Sequence, residues 1–182
     1  RSRRRVSQSA MAYINPSDLA ERPGAKELAE VATPEHKRIV DTALMDATLR
    51  GGDRSSWPTE DQADADAAMA RILDAVAEAD ALIDGFLAKR GYTLPLAPVP
   101  KLVTGWSRSI ARYLLHKSRI SMESNDPIVR DYRDALKLLQ LTADGKFSLG
   151  ADDTVATGGA STDVRFSYPE PVFGRKQLSR FR

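Results

Sequence analysis

The chain has 182 residues, with 27 lysines and arginines against 25 aspartates and glutamates, a balance that suits one globular domain with room for extensions. It has no cysteine, which excludes disulfides and thiolate metal sites. No window approaches about 18 consecutive apolar residues, so no transmembrane helix is expected.

The N-terminus, Arg1-Ser2-Arg3-Arg4-Arg5, is basic, and no apolar run follows it, so it does not read as a secretory signal. Asn15-Pro16-Ser17-Asp18-Leu19 reads as a helix start with Asn15 or Ser17 as cap. Pro23-Gly24 interrupts that helix, and Ala25–Val31 adds one or two turns. Thr33-Pro34-Glu35 predicts a second start, with Thr33 as cap and Pro34 in the first helical position. The stripe Ile39, Val40, Ala43, Leu44, Ala47 and Leu49 follows, and Gly51-Gly52 ends it.

A long helix is predicted from Thr59, with Thr59 as cap and Gln62 in the capping-box position. Ala65, Met69, Ile72, Leu73, Val76, Ile83, Phe86 and Leu87 recur at spacings of three and four, the period of an amphipathic helix. Lys89 and Arg90 suit its negative end and Gly91 its C-terminal turn. Pro95, Pro98 and Pro100 make residues 92–100 an extended apolar connector. Pro100 then opens a helix to about Arg119, with Leu102, Val103, Trp106, Ile110, Tyr113 and Leu114 on one face. Asp126-Pro127 opens another, with Ile128, Tyr132, Ala135, Leu136 and Leu139 inside, closed by Gly145.

Beyond Gly150 the composition changes. Residues 151–163 read as a tether, and Val164, Phe166 and Tyr168 alternate like a strand. Phe173 to Phe181 forms an aromatic and basic tail. The domains expected are therefore a basic arm over 1–11, a helical core over 12–150 with an inserted segment at 33–58, and a linker and docking arm over 151–182. The fold class expected is all-α: a small helical bundle around one long helix, with an extended C-terminal arm able to add a short strand and a terminal helix.

The net charge of +2 hides an asymmetry. Residues 1–10 carry four arginines and no acid, and residues 165–182 carry five basic residues against Glu170, so the body between them is acidic. Basic ends suit acidic partners: another protein, a second copy of the body, or nucleic acid.

Nothing in the sequence asks for a catalytic role. His36 and His116 have no ligand partner at helical spacing, Asp152-Asp153 lacks the spacing of a calcium loop, and no nucleophile elbow, metalloprotease motif or phosphate loop is present. A small hydrolase would need a polar pocket that the sequence does not reveal. No catalytic residue, metal site or cofactor is expected. The long helix carries Asp61, Asp64, Asp74 and Glu78 among many acids. They are a solvated face, or an acidic surface that repels DNA moving past it. Phe166, Tyr168, Phe173, Arg175, Lys176, Leu178, Arg180 and Phe181 combine the residue types that anchor protein interfaces, so they are the expected docking arm.

The ordered set Ala79-Asp80-Ala81-Leu82-Ile83-Asp84-Gly85-Phe86-Leu87, Tyr92-Thr93-Leu94-Pro95-Leu96, Val99-Pro100, Ile110-Ala111-Arg112-Tyr113-Leu114 and Gly145-Lys146-Phe147-Ser148-Leu149-Gly150 resembles the Mu-like prophage head-tail connector (adaptor) proteins of tailed phages. The resemblance covers roughly residues 12–182; Thr33–Trp57 and residues 1–10 depart from the pattern. It implies a structural, non-enzymatic subunit in the virion neck, assembled in the host cytoplasm. About twelve copies would form a ring beneath the portal protein. Portal and neck-completion (stopper) proteins would be its partners, no membrane would be involved, and genomic DNA would pass through the lumen without sequence-specific binding. The rival expectation is a phage nucleic-acid-binding packaging protein that uses the basic termini.

Overall fold

The computed structural model describes residues 12–119 and 126–150. Among them the structure is all-α, one helical turn and five helices, with no strand. The docking arm, residues 1–11 and the strand and terminal helix expected after residue 150 lie outside the described residues.

The chain starts with the turn α1 (Pro16–Leu19), capped by Asn15, whose backbone N–H reaches the Asp18 carboxylate at 3.4 Å. The helical path then breaks at Arg22 (φ −153°, ψ 115°) and Gly24 (φ 110°). Pro23 contributes no N–H at this kink, and only glycine takes a positive φ there without strain. Helix α2 follows (Ala25–Ala32) and buries Leu28, Ala29 and Ala32.

Thr33 closes α2 instead of opening the next helix. Its hydroxyl donates back to the Ala29 carbonyl at 2.6 Å and accepts the Val40 N–H at 3.3 Å. Helix α3 therefore begins at Thr42 and runs to Arg50, and Asp41 caps it by accepting from the N–H groups of Ala43 (3.0 Å) and Leu44 (3.1 Å). Ile39, expected in the buried stripe, precedes this helix and is exposed. Leu44, Met45 and Leu49 enter the common core.

Helix α4 spans Thr59–Arg90, 32 residues or about 48 Å at 1.5 Å per residue. Thr59 does not cap it; Pro58 precedes the first helical residue. Gln62 turns back to donate to the carbonyls of Arg54 (2.9 Å) and Trp57 (2.8 Å), which ties down the preceding loop. The buried face is Ala65, Ala68, Ile72, Val76, Ala79, Ile83 and Leu87. Leu73, expected among them, sits about 100° around from Ile72 and is 45% exposed.

Helix α5 (Lys101–His116) and helix α6 (Pro127–Ala143) complete the bundle. As expected, Asp126 caps α6, accepting from the Ile128 N–H at 2.8 Å. Helix α5 ends short of the expected Arg119, at His116, with a turn closed by Arg119 N–H to the His116 carbonyl at 2.7 Å. The connector after Gly91 packs Tyr92, Leu94 and Leu96 against the core. Tyr113 of α5 and Tyr132 of α6 stack with ring centroids 3.9 Å apart. After α6 the chain turns at Gly145 and brings Phe147 to within 6.3 Å of Trp106, centroid to centroid.

Helix α4 is the common element. Its N-terminal half meets α2 and α3, with Arg71 donating to the Ala32 carbonyl of α2, and the segments flanking α3 add the ion pairs Lys37–Asp64 and Arg54–Asp66. Its C-terminal half meets α5 and the end of α6, through Ser107–Asp80 and Lys89–Asp144.

Candidate functional surfaces

Three polar features stand out on this scaffold. The first is the acidic face of α4. At 3.6 residues per turn, Asp74, Glu78 and the alanines at 70, 77 and 81 point away from the packed stripe. Asp61, Asp74 and Glu78 are exposed and form no ion pair among the described residues. Asp64, expected with them, is half-buried and pairs with Lys37, so its charge is already compensated. Asp80 belongs to the same helix but not to the same face. It is buried, and its two oxygens accept from the Ser107 hydroxyl at 2.7 Å and the Tyr13 backbone N–H at 2.9 Å. Burial pushes its carboxyl above the ordinary value; the two hydrogen bonds offset part of that and nearby Asp84 adds to it. The Tyr13 hydroxyl bonds Asp84, and burial followed by that bond raises the tyrosine well above its usual range.

The second feature is an ionic clasp between α2 and α5. Arg112 Nε and Nη2 donate to the two oxygens of Glu27 at 2.5 and 2.8 Å, and His116 Nε2 lies 2.9 Å from Glu27 Oε1. Burial alone would raise the glutamate. The Arg112 and His116 bonds outweigh it and hold the carboxyl below its ordinary value. His116 is thus a packed structural histidine, and His36 is exposed. No group of three or more metal-ligating side chains comes together among the described residues.

The third feature shows in the sequence only as the helical spacing of Lys101, Arg108 and Arg112. An open groove of about 590 Å³ runs between α5, α6 and the kink before α2. Lys101, Gly105, Arg108 and Arg112 share one stripe of α5, directly opposite the Val103, Ser107 and Ile110 face packed toward α4. Leu102, Ile128 and Leu138 give the groove apolar lining, and Asp131 and Asp134 stand on the α6 wall. Arg108 is the anomaly: its Nε is sealed from solvent and has no acceptor among the described residues. Arg22 and Lys101 beside it form no ion pair among the described residues. Apart from that stripe of α5, the lining comes from elements far apart in sequence, the kink at Arg22 and helix α6.

No helix among the described residues is long and apolar enough to cross a membrane. The expected docking residues Phe166, Tyr168, Phe173, Arg175, Lys176, Leu178, Arg180 and Phe181 lie outside the described residues.

Comparison with known proteins gives this scaffold a context. The model of a family described as Bacteriophage Mu, Gp36 matches residues 13–167. The chain is 31% identical over 134 residues to the Mu-like prophage FluMu protein gp36 of Haemophilus influenzae, covering 74% of this chain and 89% of that protein. It is 36% identical over 104 residues to Gene product J of Escherichia phage Mu, covering 57% of this chain and 70% of that protein.

Proposed function

The chain belongs to the Bacteriophage Mu Gp36 family, and from that premise we propose that it is a head-tail connector (adaptor) subunit of a tailed phage. Copies of it form a ring in the virion neck, beneath the portal protein and above the next neck protein, and genomic DNA passes through the lumen. The observation that carries the proposal is the family match over residues 13–167, met among the described residues by an all-α unit built round one rigid helix of 32 residues. The small helical core, with polar side chains committed to bracing one helix against another, supports a structural task.

The C-terminal arm is assigned to docking. Its aromatic and basic residues would order on assembly, with burial of the Phe and Leu anchors offsetting the entropy of ordering. Imaging of neck complexes tests the role. A ring with a central channel wide enough for duplex DNA is expected, and a compact particle without a channel would overturn it. Deletion of residues 164–182 is expected to leave a folded helical subunit that fails to join heads to tails; normal joining by the truncated chain would remove the arm from the proposal. Strong, salt-sensitive binding of duplex DNA by the isolated subunit would instead favour a packaging role for the basic termini.

A further inference from the structure

We propose that the groove between α5 and α6 is the socket for a neighbouring copy of this chain, and that it receives the outward acidic face of that copy's α4 around Asp74 and Glu78. The inference rests on the ring proposed above and names the surfaces that would build it.

The socket side begins with Arg108. Its Nε is sealed from solvent without an acceptor among the described residues, so it has lost hydration without gaining a partner there, a costly state in a finished structure. A planar five-donor group is best completed by a carboxylate. Arg22 and Lys101 add positive charge on the same side, and Arg112 is already engaged by Glu27. The groove's own acids, Asp131 and Asp134, lie on the opposite wall, and neither forms an ion pair with Arg108. Mixed walls of this kind disfavour a continuous polyanion such as DNA and favour a protein surface with discrete carboxylates among apolar groups.

The outward face of α4 has that composition. Asp74 and Glu78 stand one turn apart without ion-pair partners among the described residues, alanines at 70, 77 and 81 keep the surface low, and Leu73 is 45% exposed at its edge. Leu102, Ile128 and Leu138 offer the apolar lining such a leucine can cover. The chain cannot satisfy its own groove in this way. The face of α5 toward α4 is the Val103–Ser107–Ile110 side, opposite the groove, so an α4 helix that fills the groove must come from another molecule. A contact between two different surfaces of identical subunits is heterologous, the type that generates rings.

Charge reversal tests the pairing in phage necks assembled with the full chain. Arg108→Glu is expected to lower the yield of ring-containing necks about tenfold or more, and the double change Asp74→Arg, Glu78→Arg to do the same. Combining all three is expected to restore most of the yield. Circular dichroism melting of each variant checks that the subunit stays folded. A second measurement uses the absence of cysteine from the chain: Ser109→Cys together with Asp74→Cys should give a disulfide-linked ladder of subunits in assembled necks. Rings that form normally with Arg108→Glu, or necks that give no ladder, would overturn the socket and leave the ring standing. A wild-type chain that never forms rings would overturn both.

Discussion

Asp80 on α4 and Ser107 on α5 are joined by a buried hydrogen bond of 2.7 Å, and the other Asp80 oxygen takes the Tyr13 backbone N–H at 2.9 Å. One carboxylate therefore fastens the N-terminal segment and α5 to the long helix. Its donors are neutral and Asp84 is nearby, and Asp80 forms no ion pair among the described residues.

Two substitutions separate the hydrogen bonds from the charge. An asparagine at position 80 can accept from Tyr13 and donate to Ser107, so Asp80→Asn keeps both links. Asp80→Ala leaves the Tyr13 N–H unsatisfied and is expected to cost about 1–3 kcal/mol. Because burial raises the Asp80 carboxyl above its unfolded value, its favourable contribution is full at pH below that unfolded value. It is lost as pH rises through the higher folded value. The stability of Asp80→Asn relative to wild type should therefore increase with pH across the acid range. Urea unfolding of both proteins at several pH values checks this; an advantage for the native carboxylate at neutral pH of more than about 1 kcal/mol would contradict it.

Glu27 should behave in the opposite sense. Its carboxyl is held below the ordinary value by Arg112 and His116, against the effect of burial, so its contribution is present above the unfolded value and is lost as pH falls through the folded one. Glu27→Gln is expected to cost about 1–2 kcal/mol at neutral pH, since the pair is partly solvent-screened. The difference from wild type should shrink in acid. Equal unfolding midpoints at pH 7 would show that the clasp contributes nothing.

Gly91 (φ 93°) and Gly145 (φ 75°) both end helices in the left-handed region. Alanine at either is expected to cost about 1–2 kcal/mol from backbone strain. A Cβ at Gly145 would also lie 2.8 Å from Arg90 Nη1, whereas at Gly91 it meets nothing within 4 Å. The guanidinium is the far end of a flexible side chain, so the excess cost of Gly145→Ala over Gly91→Ala by thermal melting should be small and should vanish in an Arg90→Ala background. An excess that survives Arg90→Ala would locate the strain elsewhere.

Leu87 and Leu73 lie on the same helix with opposite exposure. Leu87 is fully buried, so Leu87→Ala is expected to cost about 2–5 kcal/mol. Leu73→Ala, at a half-exposed position, should change subunit stability by less than about 0.5 kcal/mol. Chemical denaturation of the isolated subunit reads both, and a large loss at Leu73 would mean that its face is packed within the monomer.

Elements with local causes are legible in the sequence. Asp126-Pro127 and Gly91 carry their capping chemistry within one or two residues, and the structure places them as expected. Thr33 and Asp41 are both good caps, and the choice between them depends on burying Leu44 and Met45 while Thr33 holds Val40. Leu73 misleads because it adjoins Ile72, and a period of 3.6 does not decide between adjacent positions at the edge of a stripe. Asp80 reads as one more solvated acid; only its approach to Ser107, 27 residues away, gives it a core role. The groove as a whole is invisible for the same reason, because Arg22, Arg108 and Asp131 meet only when three elements pack.

The division of α4 into two halves with different neighbours has a mechanical consequence. The α2–α3 group grips one end of the rod, the α5–α6 group grips the other, and the Glu27–Arg112 clasp links the groups beside it. Stretching along the rod is opposed by a continuous backbone. Relative torsion of the two ends is opposed by that lateral tie together with Arg119, whose Nη1 donates to the Glu30 carbonyl at 2.7 Å. A load on the α2–α3 group is therefore passed to the α5–α6 group by two routes, along α4 and across the Glu27–Arg112 clasp.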